Sequence, residues 1–487
     1  MRSVSRAPLI TLAVGALLAG CAVGPNYHRP GTVAPAQYKN VPGPSSSTPG
    51  AQAPDRWWTL FNDDELTELI QQVDVSNQNL AQAAAAYAQA EAVVRQDRAA
   101  FFPVISAGAS ATRVSGGTRT GTSANVGSVS VATPAGGAGH ATTIYQVTGS
   151  ADWQLDVWGK LRRTLENASE SARADLADLA FARLSAQAQL ATAYLQLRGS
   201  DAEIQLLAGT VEAYQRNLQI TRNRYAVGTA PKTDVLQAET QLYNAQQQQA
   251  STSLQRAQLE DSIAALVGHA ASEFHVAPRE QWNIAVPQIP AGIPTTLLQR
   301  RPDIQAAEHS VAAANANIGV EESAYFPAFT LTGTYGFLST TVSQLFESAN
   351  ASRQAALSAS QTVFDFGVTR NRVAQARAQY EQTVASYRQT VISALQGVEN
   401  DLAATDWDRK QYDLARQASQ AADENERLVL NEYKAGSVDY TTVVVAQAAA
   451  LSARLTLAQV TVSRQTAAVS LVTDLGGGWT TAAQAPP

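Results

Sequence analysis

The sequence predicts an α+β membrane protein in which long α-helices build a coiled-coil barrel and four strands per chain join a β-barrel shared between subunits. Three features carry that prediction. The chain is internally duplicated, each copy has a very long helical stretch free of proline, and each copy has two strand-like segments.

The duplication is visible in paired motifs. Ala100-Phe101-Phe102-Pro103 recurs as Ala324-Tyr325-Phe326-Pro327, and Asp156-Val157-Trp158-Gly159 loosely as Asp365-Phe366-Gly367. Asn223-Arg224-Tyr225-Ala226-Val227-Gly228 recurs as Asn431-Glu432-Tyr433-Lys434-Ala435-Gly436. Gly159 and Gly228 are 69 residues apart, and so are Gly367 and Gly436, as expected of two copies of one rigid element. The stretch from Pro103 to Gly159 exceeds its counterpart by 16 residues; the surplus, Gly116 to Thr143, is rich in Gly, Ser and Thr and reads as an exposed loop.

Each copy has the same order: a helix (near Leu66 to Ala99, then Pro302 to Ser323), two strands, a long helix, a glycine turn and a return helix. In the third strand Phe329, Leu331, Tyr335 and Phe337 share a face against Thr330, Thr332 and Thr334. In the second, Tyr145, Val147, Ala151 and Trp153 oppose Gln146, Thr148, Ser150 and Asp152. The first alternates more weakly, Ile105, Ala107 and Ala109 against Ser106 and Ser110, and the fourth runs near Ala355 to Phe364. One apolar and one small polar face suits a membrane barrel with a wet lumen as well as a half-buried soluble sheet. An export signal, below, favours the barrel. Closed barrels start at about eight strands, so four per chain imply a barrel shared by several copies.

The long helices run from about Lys160 to Tyr225 and from about Val368 to Tyr433. In the second, Tyr380, Val384, Tyr387, Val391, Ala394 and Val398 step by fours and threes, a coiled-coil seam. The matching seam has Ala172, Leu176, Leu179, Ala186 and Leu190, interrupted by Arg183. At 1.5 Å per residue such a helix is roughly 100 Å long, more than a compact domain needs.

The N-terminus carries Arg2 and Arg6, an apolar stretch from Leu9 to Leu18, then Leu18-Ala19-Gly20-Cys21. This is an export signal, too short to span a bilayer, ending on the one cysteine of the chain, which reads as a lipidated N-terminus. Ala22 stands where an inner-membrane retention aspartate would, which favours the outer membrane. No other run reaches 18 consecutive apolar residues, so a membrane-spanning helix is not expected. The net charge of −6 and the lack of a basic, aromatic-interleaved run argue against nucleic-acid binding. Enzymatic, cofactor and metal chemistry are not indicated. His269, Glu273 and His275 do not follow the zinc-helix spacing, and Gly136-Gly137-Ala138-Gly139 lacks a phosphate-loop lysine.

Taken together with Gly24-Pro25-Asn26-Tyr27, Asp152 through Arg163, Arg300-Arg301-Pro302-Asp303-Ile304, Tyr325-Phe326-Pro327 and Leu475-Gly476-Gly477-Gly478-Trp479, the chain resembles the outer-membrane efflux protein family (TolC/OprM-like), in its NodT-like lipoprotein branch. The resemblance implies a homotrimer with a twelve-stranded barrel in outer-membrane lipid and a periplasmic tunnel of twelve helices. Its implied partners are a periplasmic adaptor protein and an inner-membrane transporter, usually of the proton-driven resistance-nodulation-division class. The implied activity is passive conduction of small molecules such as drugs. The outer channel of a type I protein-secretion system is the alternative, and a coiled-coil surface protein or adhesin also fits the helices. The adaptor-contacting tips map to Val227-Gly228-Thr229 and Ala435-Gly436-Ser437, and the periplasmic gate to Asp234 and Tyr433. The family's gate arginine is absent, with Val438 in its place, and its acidic ring falls at Thr442 and Val445; Lys232, Lys434 and Asp439 are nearby charges. The expected organisation is a signal peptide at 1–20, a lipidated arm at 21–55, a first repeat at 56–277, a linker at 278–300, a second repeat at 301–479 and a tail at 480–487.

Overall fold

The computed structural model describes residues 22–32, 35, 37–40, 56–114, 124–126, 129–131, 142–279, 286, 287, 289 and 300–477. The signal peptide, Cys21, much of the arm, most of the linker and the C-terminal tail lie outside the described residues. Two compact units form, one from 1–28, 90–171 and 311–382, the other from 29–89, 172–310 and 383–487. Each draws on both repeats.

The first unit holds the sheet. Its strands are β1 (Val104–Val114), β4 (Thr142–Leu155), β5 (Ala328–Ser339) and β6 (Ala351–Ser360), antiparallel in the order β1-β4-β5-β6. A short hairpin, β2 (Ala124–Val126) with β3 (Val129–Val131), lies within the segment expected to be irregular. The registers align the predicted faces of the first three strands and continue them onto the fourth. Val147 opposes Ala109 and Phe337, Trp153 opposes Leu331, and Leu331 opposes Leu357. On the other face Ser106 meets Ser150, with their hydroxyls 2.7 Å apart, and Thr332 donates to Asp152 at 3.0 Å. The fourth strand begins and ends earlier than Ala355 to Phe364. Its ladder closes where Ser360 pairs Ala328, the residue after Pro327. Proline has no N–H to extend the ladder, so the chain beyond Ser360 leaves it.

The second unit holds most of the helical core. The first predicted helix is two: α1 (Asp64–Ser76) and α2 (Gln78–Ala99). Asn77 breaks it by acting as a cap, its side-chain oxygen accepting from the N–H groups of Asn79 (2.9 Å) and Leu80 (3.1 Å). Its amide donates to the Leu266 carbonyl at 2.7 Å, so the break is fixed by a tertiary partner. α1 buries Leu66, Leu69, Ile70 and Val73 against Trp57, Phe61, Leu190 and Tyr194. Each such side chain contributes about 1.5–3 kcal/mol of transfer free energy. Beside this core Arg198 is fully buried, with both terminal nitrogens paired: Nη1 bonds Asp201 (2.7 Å) and the Ala277 carbonyl (2.8 Å), and Nη2 bonds Glu65 (2.5 Å).

The remaining helices are α3 (Lys160–Ala226), α4 (Lys232–Leu266), α5 (Pro302–Glu322), α6 (Val368–Ala435) and α7 (Tyr440–Asp474). α3 and α6 run unbroken for 67 and 68 residues. The α6 seam buries Tyr387, Val391, Ala394 and Val398; in α3 Ala172, Ala186 and Leu190 are buried. The intruding Arg183 stays out of the seam and forks onto Asp74 at 2.8 and 2.6 Å. α7 is long and apolar enough to cross a membrane by length and composition. Counting uninterrupted apolar runs missed it because small and polar residues are interspersed. Midway along it, Arg454 pairs with Asp423 (2.6 Å) and Glu426 (2.8 Å) of α6, which marks it as the return arm of a hairpin.

Candidate functional site

Both helical hairpins end in the same turn. In the first, Gly228 N–H donates to Tyr225 O (3.0 Å) and Thr229 N–H to Arg224 O (2.8 Å). In the second, Gly436 N–H donates to Tyr433 O (3.0 Å) and Ser437 N–H to Glu432 O (2.9 Å). These are helix C-terminal caps that need a left-handed residue, and Gly228 and Gly436 supply it with φ of 75° and 80°. Nothing lies within 4 Å of where a Cβ would stand on either glycine. All six predicted tip residues are exposed. The tips are thus two equivalent exposed projections, each with uncovered backbone at its glycine.

Behind them the ends of α3, α4, α6 and α7 share a core that includes Leu218, Val235, Leu242, Val429, Tyr433, Tyr440 and Val443. The structure does not join Asp234 to Tyr433 by a hydrogen bond. The Tyr433 hydroxyl is buried without a hydrogen-bond partner among the described residues. Instead Arg224 packs its guanidinium 4.5 Å from the centre of the Tyr433 ring and donates from Nη1 to the Tyr433 carbonyl at 3.1 Å. Arg224 thereby ties the first hairpin to the second, a contact invisible in sequence because the two residues are 209 positions apart. Asp234 is half-buried, and its carboxyl titrates above the ordinary carboxylate range. Burial is the first cause and the Asp439 carboxylate the second, with Arg224 opposing both.

Two further constellations escaped the sequence reading. In the sheet-bearing unit, the residues just after Cys21 are docked. Val23 N–H donates to Trp158 O (2.9 Å), and Arg163 reaches the carbonyls of Val23 and Gly24 (both 3.2 Å) and Asn26 Oδ1 (2.9 Å). Gly24 lies against Gly319 so closely that a Cβ on Gly24 would come within 2.4 Å of Gly319 Cα. In the other unit, Arg301 of the Arg-Arg-Pro-Asp motif forks onto Asp303 (3.0 and 2.8 Å) and bonds Asp474 (3.0 Å). Asp401 joins this group; burial, then the neighbouring Asp474 carboxylate, push it up to about 7. The histidine cluster is otherwise engaged, with His275 Nδ1 2.8 Å from Glu260 and His269 stacked on Phe274.

The profile of the outer membrane efflux protein family matches residues 69–269 and 293–477, most of the chain and both repeats. The chain belongs to that family. It is 31% identical over 475 residues to the probable efflux pump outer membrane protein TtgC of Pseudomonas putida, covering 97% of this chain and 96% of the relative. It is 28% identical over 475 residues to the outer membrane protein OprJ of Pseudomonas aeruginosa, covering 97% and 95%. The solved outer-membrane channel OprN superposes with a TM-score of 0.85 at 30% identity, covering 94% of this chain and 100% of the other. Efflux-family membership places the protein in the outer membrane and accounts for the four-stranded sheet and the two long hairpins.

Proposed function

We propose that this chain is the outer-membrane channel of a tripartite efflux pump, conducting small molecules such as drugs passively from periplasm to exterior. Three copies close one twelve-stranded barrel, and their helices form the periplasmic conduit. A periplasmic adaptor engages the glycine tips at Val227–Thr229 and Ala435–Ser437. An inner-membrane transporter, of the resistance-nodulation-division class, supplies energy. Asp234 and Tyr433, with Arg224 beside them, belong to the closed end. Cys21 carries the lipid anchor; the docking of Val23 beside Trp158, where β4 has just ended, supports an anchor at the membrane end of the chain.

One observation carries the reading. Across all four strands one face is mainly apolar, with Arg113 and Arg353 near one end, and the other is mainly small and polar, while β1 and β6 each have a free edge in the chain's own sheet. Hydrocarbon cannot satisfy exposed N–H and C=O groups, so those edges must be closed by other copies. The near full-length likeness to an efflux pump outer membrane protein supports the cargo class. Mass measurement in detergent is expected to give three chains, and the purified protein is expected to conduct in planar bilayers. A stable monomer with full strand content, or a trimer that never conducts, overturns the reading.

A further inference from the structure

The two repeats can be superposed by strand register. β1–β4 pairs Val104 with Asp152, and β5–β6 pairs Ala328 with Ser360. Matching Pro103 to Pro327 therefore matches Asp152 to Ser360, Trp158 to Phe366 and Gly159 to Gly367. A side-chain contact supports the match: Trp153 Nε1 donates to the Phe101 carbonyl (2.9 Å), and its counterpart Gln361 Nε2 donates to the Tyr325 carbonyl (3.1 Å).

Within one chain the repeats meet at the β4–β5 junction. Leu155 opposes Phe329 there, and Ala151 opposes Gly333. Just beyond the ladder, Trp158 stacks on Phe326 with ring centroids 4.8 Å apart and donates to the Pro327 carbonyl at 2.8 Å. The counterparts of these groups lack that cover from the other repeat, although the Phe364 ring lies 4.5 Å from that of Phe366. Phe366, in the place of Trp158, is 90% exposed; Val363, Phe102 and Ile105, in the places of Leu155, Phe326 and Phe329, are 93%, 67% and 81% exposed. Phe366 also holds a left-handed φ of 53°, in a turn pinned by Asp365, which accepts from Gly367 N–H (2.9 Å) and Thr369 N–H (2.7 Å). A bulky aromatic in that region is strained, and such strain persists where a further contact uses it.

We propose that the junction between neighbouring subunits copies the β4–β5 junction, so that β6 pairs with β1 of the partner subunit in one specific register. Ala359 then opposes Ala109 of the partner subunit, Val363 opposes Ile105 of the partner subunit, and Phe366 stacks on Phe102 of the partner subunit. This register keeps apolar faces together, because odd-numbered residues meet odd-numbered residues; a slip of one would turn β1's apolar side chains into the lumen. The four bare apolar groups at the two edges become one inter-subunit clasp. The inference rests on the reading that copies share one barrel.

Cross-linking tests it in the full-length protein in outer-membrane preparations. Disulfides require Cα atoms within about 7 Å, so directly opposed positions react and those two residues out of register do so poorly. Ala109→Cys with Ala359→Cys is expected to give inter-subunit disulfides at several-fold higher yield than Ala107→Cys or Ala111→Cys with Ala359→Cys. Each single-cysteine variant controls for Cys21. Phe102→Ala and Phe366→Ala are each expected to lower the temperature at which detergent splits the trimer, and the double variant no further than the larger single effect. Trimers that cross-link in a shifted pair, or in none, overturn the register but leave the shared barrel standing. Additive alanine effects overturn the aromatic stack, and Phe366 then faces lipid. Absence of trimers by mass overturns the register together with the reading beneath it.

Discussion

Substituting the tip glycines separates what the turns need from what docks on them. Gly228 and Gly436 adopt φ of 75° and 80°, where any side chain costs about 1–2 kcal/mol per residue. No steric cost is added, because nothing lies within 4 Å of either Cβ position. Gly228→Ala and Gly436→Ala therefore carry the backbone cost alone. Against a tip core that buries Tyr433, Tyr440, Val235 and Val443, that cost leaves the hairpins folded. Gly228→Trp and Gly436→Trp carry the same backbone cost and add a large ring that can only project outward. If the adaptor lies on these turns, the tryptophan variants lose export and adaptor cross-linking. Abundance, trimerisation and outer-membrane location stay normal, and the alanine variants keep most of their export. A drug-export assay in cells lacking their own channel, paired with adaptor cross-linking, reads both. Full export by the double tryptophan variant would show that this end is not the coupling surface. Equal loss in the alanine and tryptophan variants would instead assign the effect to turn strain.

Cys21→Ser is expected to abolish palmitate labelling and leave the precursor uncleaved, while the barrel still folds, since a single acyl chain is a modest anchor; an unlabelled wild-type protein in the outer membrane would refute lipidation. Asp234→Ala is expected to raise basal single-channel conductance by loosening the closed end, and unchanged conductance would remove Asp234 from the gate. Asp401 titrates near 7 when folded and near 3.8 when unfolded, so the folded state binds the extra proton between those values. Its stabilising contribution is complete below about pH 4 and is lost as pH rises through about 7. Asp401→Asn is therefore expected to melt at a temperature less dependent on pH between 5 and 8 than the wild type; parallel profiles would refute the assignment. Gly24→Ala forces a Cβ to within 2.4 Å of Gly319 Cα and is expected to release the N-terminal segment, measured as faster proteolysis ahead of Tyr27.

Much of this protein was legible in the chain itself, because the signals are periodic. Strand alternation is a repeat of two and the helical seam a repeat of three and four. Both survive unaltered in the registers of β4 and β5 and in the burial of Tyr387, Val391, Ala394 and Val398. The glycine turns were legible for a related reason: a left-handed cap strongly favours glycine, so its chemistry is written at one position. What stayed hidden depends on atoms brought together from far apart. Asn77 divides a helix because Leu266 offers a carbonyl, and α6 and α7 set Asp401 beside Asp474. Arg224 finds Tyr433, and Gly24 needs its missing side chain because Gly319 is there. Motif alignment pointed to Asp234 and Tyr433 but not to Arg224, for the same reason. A cation stacked on a ring depends on how two hairpins pack, and no local pattern encodes that distance.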